Sequence, residues 1–144
     1  DWRQALRVFE QIRTLQPDDE KARLRLVDLH LKLKQEPQAL AELDQYLSYL
    51  HGQGKDQGAT SFLENLAKEY PQNVSVRRRL ADYYKSSGKN ELAVSQLDAI
   101  GEILLEKGDK PGAAQTIETI LALQPARRAD YTQLLEQIRG NTAR

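Results

Sequence analysis

The sequence predicts an all-α helical-repeat solenoid of about eight antiparallel helices, and three observations carry that expectation. The chain matches itself without gaps at a lag of 54 residues, anchored by Pro17, Pro71 and Pro125. Its apolar residues recur at three- and four-residue spacing and not in strand-like alternation. Glycine or proline interrupts each apolar stripe after a few turns, leaving only short connections, which join antiparallel neighbours. The lag is dense in matches: Arg23 falls on Arg77, Leu26 on Leu80, Asp28 on Asp82, Ala39 on Ala93, Leu43 on Leu97, Gly54 on Gly108, Ala59 on Ala113 and Glu64 on Glu118. The opening segment obeys it too, since Ala5, Phe9, Glu10 and Ile12 fall on Ala59, Leu63, Glu64 and Leu66. A fixed period of this size marks stacked units that cover one another's apolar faces. The chain is expected to be one domain over 1–144, divided into a partial unit 1–16, full units 17–70 and 71–124, and a partial unit 125–144.

The elements follow in order. The opening Asp1-Trp2-Arg3-Gln4-Ala5 already reads as helix. From Glu20 to Lys34, Leu24, Val27 and Leu31 form a stripe that Leu26, Leu29 and Leu33 widen, and Asp19 is placed to cap it. Pro37 sits where a first helical turn tolerates it; Ala39, Leu40, Leu43, Tyr46, Leu47 and Leu50 then carry a helix to about His51, ended by Gly52 and Gly54. Ala59, Leu63, Leu66 and Tyr70 define the next, over Gln57 to Tyr70, which Pro71 closes. The second unit repeats the plan at Val74 to Ser87, Asn90 to Lys107 and Lys110 to Gln124, and a last helix runs from about Arg127 to Arg139.

Composition excludes several classes of function. The 21 Lys and Arg balance 21 Asp and Glu, so no global field draws the chain to nucleic acid or an anionic membrane. Without cysteine there is no thiol nucleophile and no thiolate metal site, and two histidines far apart in sequence offer little for another metal site. A mean hydropathy of -0.67 and the lack of a long apolar run exclude a spanning helix. Gly52-x-Gly54-x3-Gly58 lacks the preceding strand and the glycine spacing of a dinucleotide loop and reads as a turn. No serine has a partner histidine at a recognisable elbow, and no carboxylates are paired in a pocket, so no enzyme, metal or cofactor is expected. The absence of methionine and the helical opening suggest a piece of a longer protein. The missing signal peptide and cysteines favour the cytoplasm.

Three stretches resemble the tetratricopeptide repeats: Ala5-x3-Phe9-x7-Pro17; Gly54 through Ala59, Leu63, Leu66 and Pro71; and Leu97 through Gly101, Leu104, Gly108-Asp109, Ala113, Ile117 and Pro125. Small Ala39, Ala59, Ala93 and Ala113 would let helices approach, with Leu43, Leu63, Leu97 and Ile117 filling the space beside them. The chain departs from the family in two ways. The family's tryptophan early in its first helix is replaced by Arg23, Leu43, Arg77, Leu97 and Tyr131, and the period is 54 where the family uses 34. Two-helix repeats at 20–53, 40–73, 74–107 and 94–127 overlap, so the helices at 37–51 and 90–107 must each serve two repeats.

The resemblance implies a protein-interaction module whose first helices line a concave groove for a partner peptide. Transferred residue by residue, the groove would be lined by Leu24, Asp28 and Leu31 in one unit and by Arg78, Asp82 and Lys85 in the next. Asp28 and Asp82 stand where one subclass of the family uses asparagine to clamp a terminal carboxylate, and their charge would repel such a ligand. Asp44, Asp98 and Glu102 would add negative charge and favour a partner segment carrying Lys or Arg; exposed helix charges with no partner are the other reading. For Arg77-Arg78-Arg79 two readings stand open as well, a solvated helix start or a binding role for Arg78 with Lys85, because consecutive residues diverge by about 100 degrees around a helix. The nine aromatics show no interleaving with basic residues that would stack nucleic-acid bases. The alternative function is a structural spacer or self-assembly segment, joined through apolar surface near Trp2, Val8 and Phe9 or near Tyr131, Leu134 and Leu135.

Overall fold

The computed structural model describes residues 1–143, with side chains through Gly140, and is all-α. Its helices are α1 (Trp2–Leu15), α2 (Glu20–Lys32), α3 (Glu36–Gly52), α4 (Asp56–Glu69), α5 (Val74–Ser86), α6 (Asn90–Glu106), α7 (Lys110–Ala122) and α8 (Arg128–Ala143). Helix starts recur 54 residues apart five times over: Trp2 with Asp56, Glu20 with Val74, Glu36 with Asn90, Asp56 with Lys110 and Val74 with Arg128. The last helix continues beyond the expected stop at Arg139 to Ala143, since no proline intervenes.

The helix ends are set by local chemistry that also recurs. Asp19 and Asn73 cap α2 and α5, accepting from the Ala22 and Val76 amides at 3.1 and 3.0 Å. Asp109 caps α7, accepting from the Gly112 amide at 2.9 Å, and Pro37 and Pro111 lie in the first turns of α3 and α7. At the other ends, Lys34, Gly54, Gly88 and Gly108 adopt left-handed conformations, with φ of 61°, 71°, 75° and 80°. In each case the next residue's amide reaches back to close the turn, as from Gln35 to the His30 carbonyl and from Lys89 to the Tyr84 carbonyl, both at 2.8 Å. This is why α2 stops at Lys32 and not at Lys34. Lys34 accepts a strain that Gly88, its counterpart one period on, avoids. Accordingly, Gly88→Ala is expected to destabilise by about 1 kcal/mol and Lys34→Gly to stabilise by a few tenths to about 1. Urea denaturation of the two variants checks this, and effects of the reverse signs would sink it.

The chain forms two compact units, Asp1–Ala59 and Thr60–Arg144. In the first, α1 packs on α2 and α2 on α3, around Leu26, Leu43, Tyr46 and Leu47. In the second, α5, α6, α7 and α8 pack in sequence. The core of the second unit joins Leu97, Ile100 and Leu104 of α6 to Ala113, Ile117 and Ile120 of α7 and to Tyr131, Leu135 and Ile138 of α8. Ala39, Ala59, Ala93 and Ala113 are all fully buried, as expected of positions where helices touch closely.

Candidate interaction surfaces

The positions where a tryptophan was expected show how this repeat closes its core. Arg23 is 4% exposed; its Nε donates to the Pro17 carbonyl at 3.0 Å, and its guanidinium lies 5.2 and 5.6 Å from the Tyr46 and Tyr49 rings. A flat cation stacked on aromatics replaces a flat aromatic, and its N–H satisfies the carbonyl of the proline that ends the preceding helix. Burial, then the nearby Arg13 charge, lowers its pKa, while Glu42 and the two tyrosines oppose the fall. One period later Arg77 donates from Nε to the Pro71 carbonyl at 2.7 Å and from Nη1 to Gln96 Oε1 at 2.8 Å. The sequence signal for this role was present, an arginine six residues after a proline in both units. The third copy, Tyr131, is buried as well.

The arginine run diverges around α5. Arg77 is tied to Pro71 and Gln96, Arg79 donates to the Ser75 carbonyl at 2.9 Å, and Arg78 is exposed. Arg78, Asp82 and Lys85 form one exposed stripe along α5 at four- and three-residue spacing. On α2 the corresponding positions behave differently. Leu24 and Leu31 are half-buried, and Asp28 is buried with its carboxylate 3.0 Å from Lys32 Nζ one turn on. His30, also half-buried, bonds through Nδ1 to Gln35 Oε1 at 2.9 Å, as befits a histidine packed beside a turn.

Tyrosine hydroxyls pin carboxylates between helices. Tyr46 donates to Glu20 at 3.4 Å, Tyr84 to Glu64 at 2.5 Å, and Tyr131 reaches both Asp98 oxygens at 2.8 and 2.9 Å. Burial first, and then the acceptor carboxylate, pushes the Tyr46 and Tyr84 hydroxyls up to about 12. Burial and Asp98 raise Tyr131 likewise, against a smaller opposing pull from Arg127.

Four clefts on the described surface bear on its chemistry. One runs along α1 past Arg7, Glu10 and Arg13. A second, between α4, α5 and α6, holds Glu64, Lys68 and Arg77. A third, between α7 and α8, holds Lys110, Glu118 and Arg139. These three occupy related places in the repeat, with Glu10, Glu64 and Glu118 at the same position, and each carries two cations and one carboxylate. The fourth, of about 370 Å³, lies between α6 and the α7–α8 turn, with Glu91 and Asp98 as its acids and Arg127 as its cation. None of the six positions expected to line a groove borders these clefts.

Exposed large apolar side chains gather on α1, where Trp2, Val8 and Leu15 are 55%, 51% and 81% exposed. At the other end Leu134 is exposed, but Tyr131 and Leu135, expected to be open, are buried. No described helix is long and apolar enough to cross a membrane.

A family model described as Tetratricopeptide repeat matches residues 1–52. No curated protein matches the chain. Among solved structures, one of MamA protein is 14% identical, aligned over 99% of this chain and 85% of that one with a TM-score of 0.45. A tetratricopeptide repeat protein from Parabacteroides merdae is 18% identical over 97% of this chain and 60% of its own, with a TM-score of 0.42. A thermophilic TPR protein in Thermus thermophilus is 18% identical over 95% of this chain and 90% of its own, with a TM-score of 0.33. The tetratricopeptide-repeat model thus matches residues 1–52, and the small, large and proline positions of that stretch return in register along the helices that follow.

Proposed function

We propose that the chain is a protein-interaction module in which the face of α2 in the first unit and the face of α5 in the second, each expected by family resemblance to line a groove, take a partner peptide or protein. The observation that supports it most is the stripe of Arg78, Asp82 and Lys85, three charged side chains exposed on one face of α5. On α2, Leu24 and Leu31 offer half-buried apolar contact, and Asp28, buried and ion-paired with Lys32, would meet a partner only at its edge. Mixed charge on one stripe selects a partner by charge pattern more than by total attraction. The test is affinity capture from host lysate with the chain and with an Arg78→Glu, Asp82→Lys, Lys85→Glu variant whose folding is checked by circular dichroism. A protein held by the parent chain and lost by the folded variant supports the reading. Capture indifferent to all three changes overturns the α5 assignment.

Self-association is a second reading, favoured by α1. Val8 is 51% exposed, whereas its counterpart Phe62 one period on is 3% exposed. An apolar face left open here is suited to another copy. Sedimentation velocity across a concentration series is expected to show a dimer that Val8→Glu abolishes, and a monomer at every concentration removes this reading.

A further inference from the structure

We propose that the cleft between α6 and the α7–α8 turn is a second docking site, fitted to a partner-protein segment that presents an arginine or lysine side chain beside an aliphatic one. The inference rests on the scaffold reading of the fold but uses a surface other than the α2 and α5 faces. Its walls are Val94 on α6, Leu123 and Pro125 in the turn, and Tyr131 on α8. Val94 and Leu123 are partly buried hydrophobics at the edge of the core, so the apolar wall continues the packed interior and is held rigid by it.

Charge identifies the occupant. Glu91 and Asp98 against Arg127 leave one net negative charge in this cleft, whereas each of the other three described clefts has two cations and one carboxylate. In a chain with no net charge, that local excess is what an incoming cation meets. Asp98 is also oriented in advance, because the Tyr131 hydroxyl holds both its oxygens from the buried side. An ionised carboxylate has about four acceptor directions, so hydrogen-bond capacity remains for a guanidinium or ammonium donor. A cleft of about 370 Å³ accommodates one long side chain and an apolar neighbour, not a folded domain. The turn that forms its wall is fixed, since Gln124 takes a left-handed φ of 55° and its amide bonds to the Leu121 carbonyl at 3.1 Å.

The test is titration of the isotopically labelled chain with acetyl-Leu-Arg-Leu-amide and with acetyl-Leu-Glu-Leu-amide, followed by amide chemical shifts. The arginine peptide is expected to shift Val94, Asp98, Leu123 and Tyr131, and the glutamate peptide to leave them unmoved. Glu91→Lys, at an exposed position, and Asp98→Asn, which keeps an acceptor for Tyr131, are each expected to weaken the arginine peptide roughly tenfold. Absence of shifts with the arginine peptide, equal shifts with both peptides, or undiminished binding by the folded Glu91→Lys variant overturns the proposal. Shifts confined to Arg78, Asp82 and Lys85 would also overturn it while leaving the α5 face standing. A response at both surfaces, with only the cleft response lost in Glu91→Lys, supports the two sites independently.

Discussion

Glu42→Gln is expected to lower stability by about 3 kcal/mol, a large effect for a change of one atom. In the first unit the Glu42 carboxylate accepts from Arg13 and faces the field of the buried Arg23 guanidinium. Among the described residues, neither Arg23 Nη1 nor Glu42 Oε2 finds a hydrogen-bond partner. The interaction joining them is therefore mainly charge with charge, and neutralising Glu42 leaves two cations facing each other in a poorly solvated place. The second unit shows the remedy: Ala67, Arg77 and Gln96 stand at the places of Arg13, Arg23 and Glu42, and one arginine donates to a neutral amide at 2.8 Å. Arg13→Ala combined with Glu42→Gln rebuilds that arrangement and is expected to recover most of the loss. Chemical denaturation of the two single variants and the double variant measures the coupling. A double variant no more stable than Glu42→Gln alone would show that the network has been misread.

Stability is expected to fall steeply between about pH 10 and 12. A tyrosine in the unfolded chain loses its proton near 10, whereas Tyr46 and Tyr84 hold theirs to about 12 when folded. In that window the folded chain binds more protons than the unfolded one, so stability declines as pH rises. The contribution is fully present below about 10 and gone above the folded value, a loss on the order of a few kcal/mol summed over the two residues. Both compact units are affected, because Tyr46 lies in the first and Tyr84 in the second. Denaturation midpoints measured across this range, alongside near-ultraviolet tyrosinate absorbance, test the prediction. Tyr46→Phe with Tyr84→Phe should flatten the pH dependence, and an unchanged slope would refute the assignment.

Much of the fold was legible because its determinants act between residues close in the chain. Asp19 caps the turn that follows it, Gly88 and Gly108 take the left-handed conformation that ends a helix, and Pro71 stops the helix before it. The small positions Ala39, Ala59, Ala93 and Ala113 were readable as contact points because their spacing from the large positions recurs. The surfaces were less legible. Asp28 and Asp82 match in the repeat, yet one is buried beside Lys32 and the other is exposed. Tyr131 looked like an open end and is a core residue that orients Asp98.

By itself, then, the amino-acid sequence determined an all-α repeat, the order of its helices and most of their ends, since turn chemistry, capping and a 54-residue recurrence need only neighbours along the chain. Only the tertiary structure decided which charges are committed internally and which face solvent. Whether Arg23 stacks on Tyr46, or Asp98 turns toward Tyr131, depends on side chains brought together from distant segments. Burial of an ionisable group is favourable only when such a partner arrives in the right geometry.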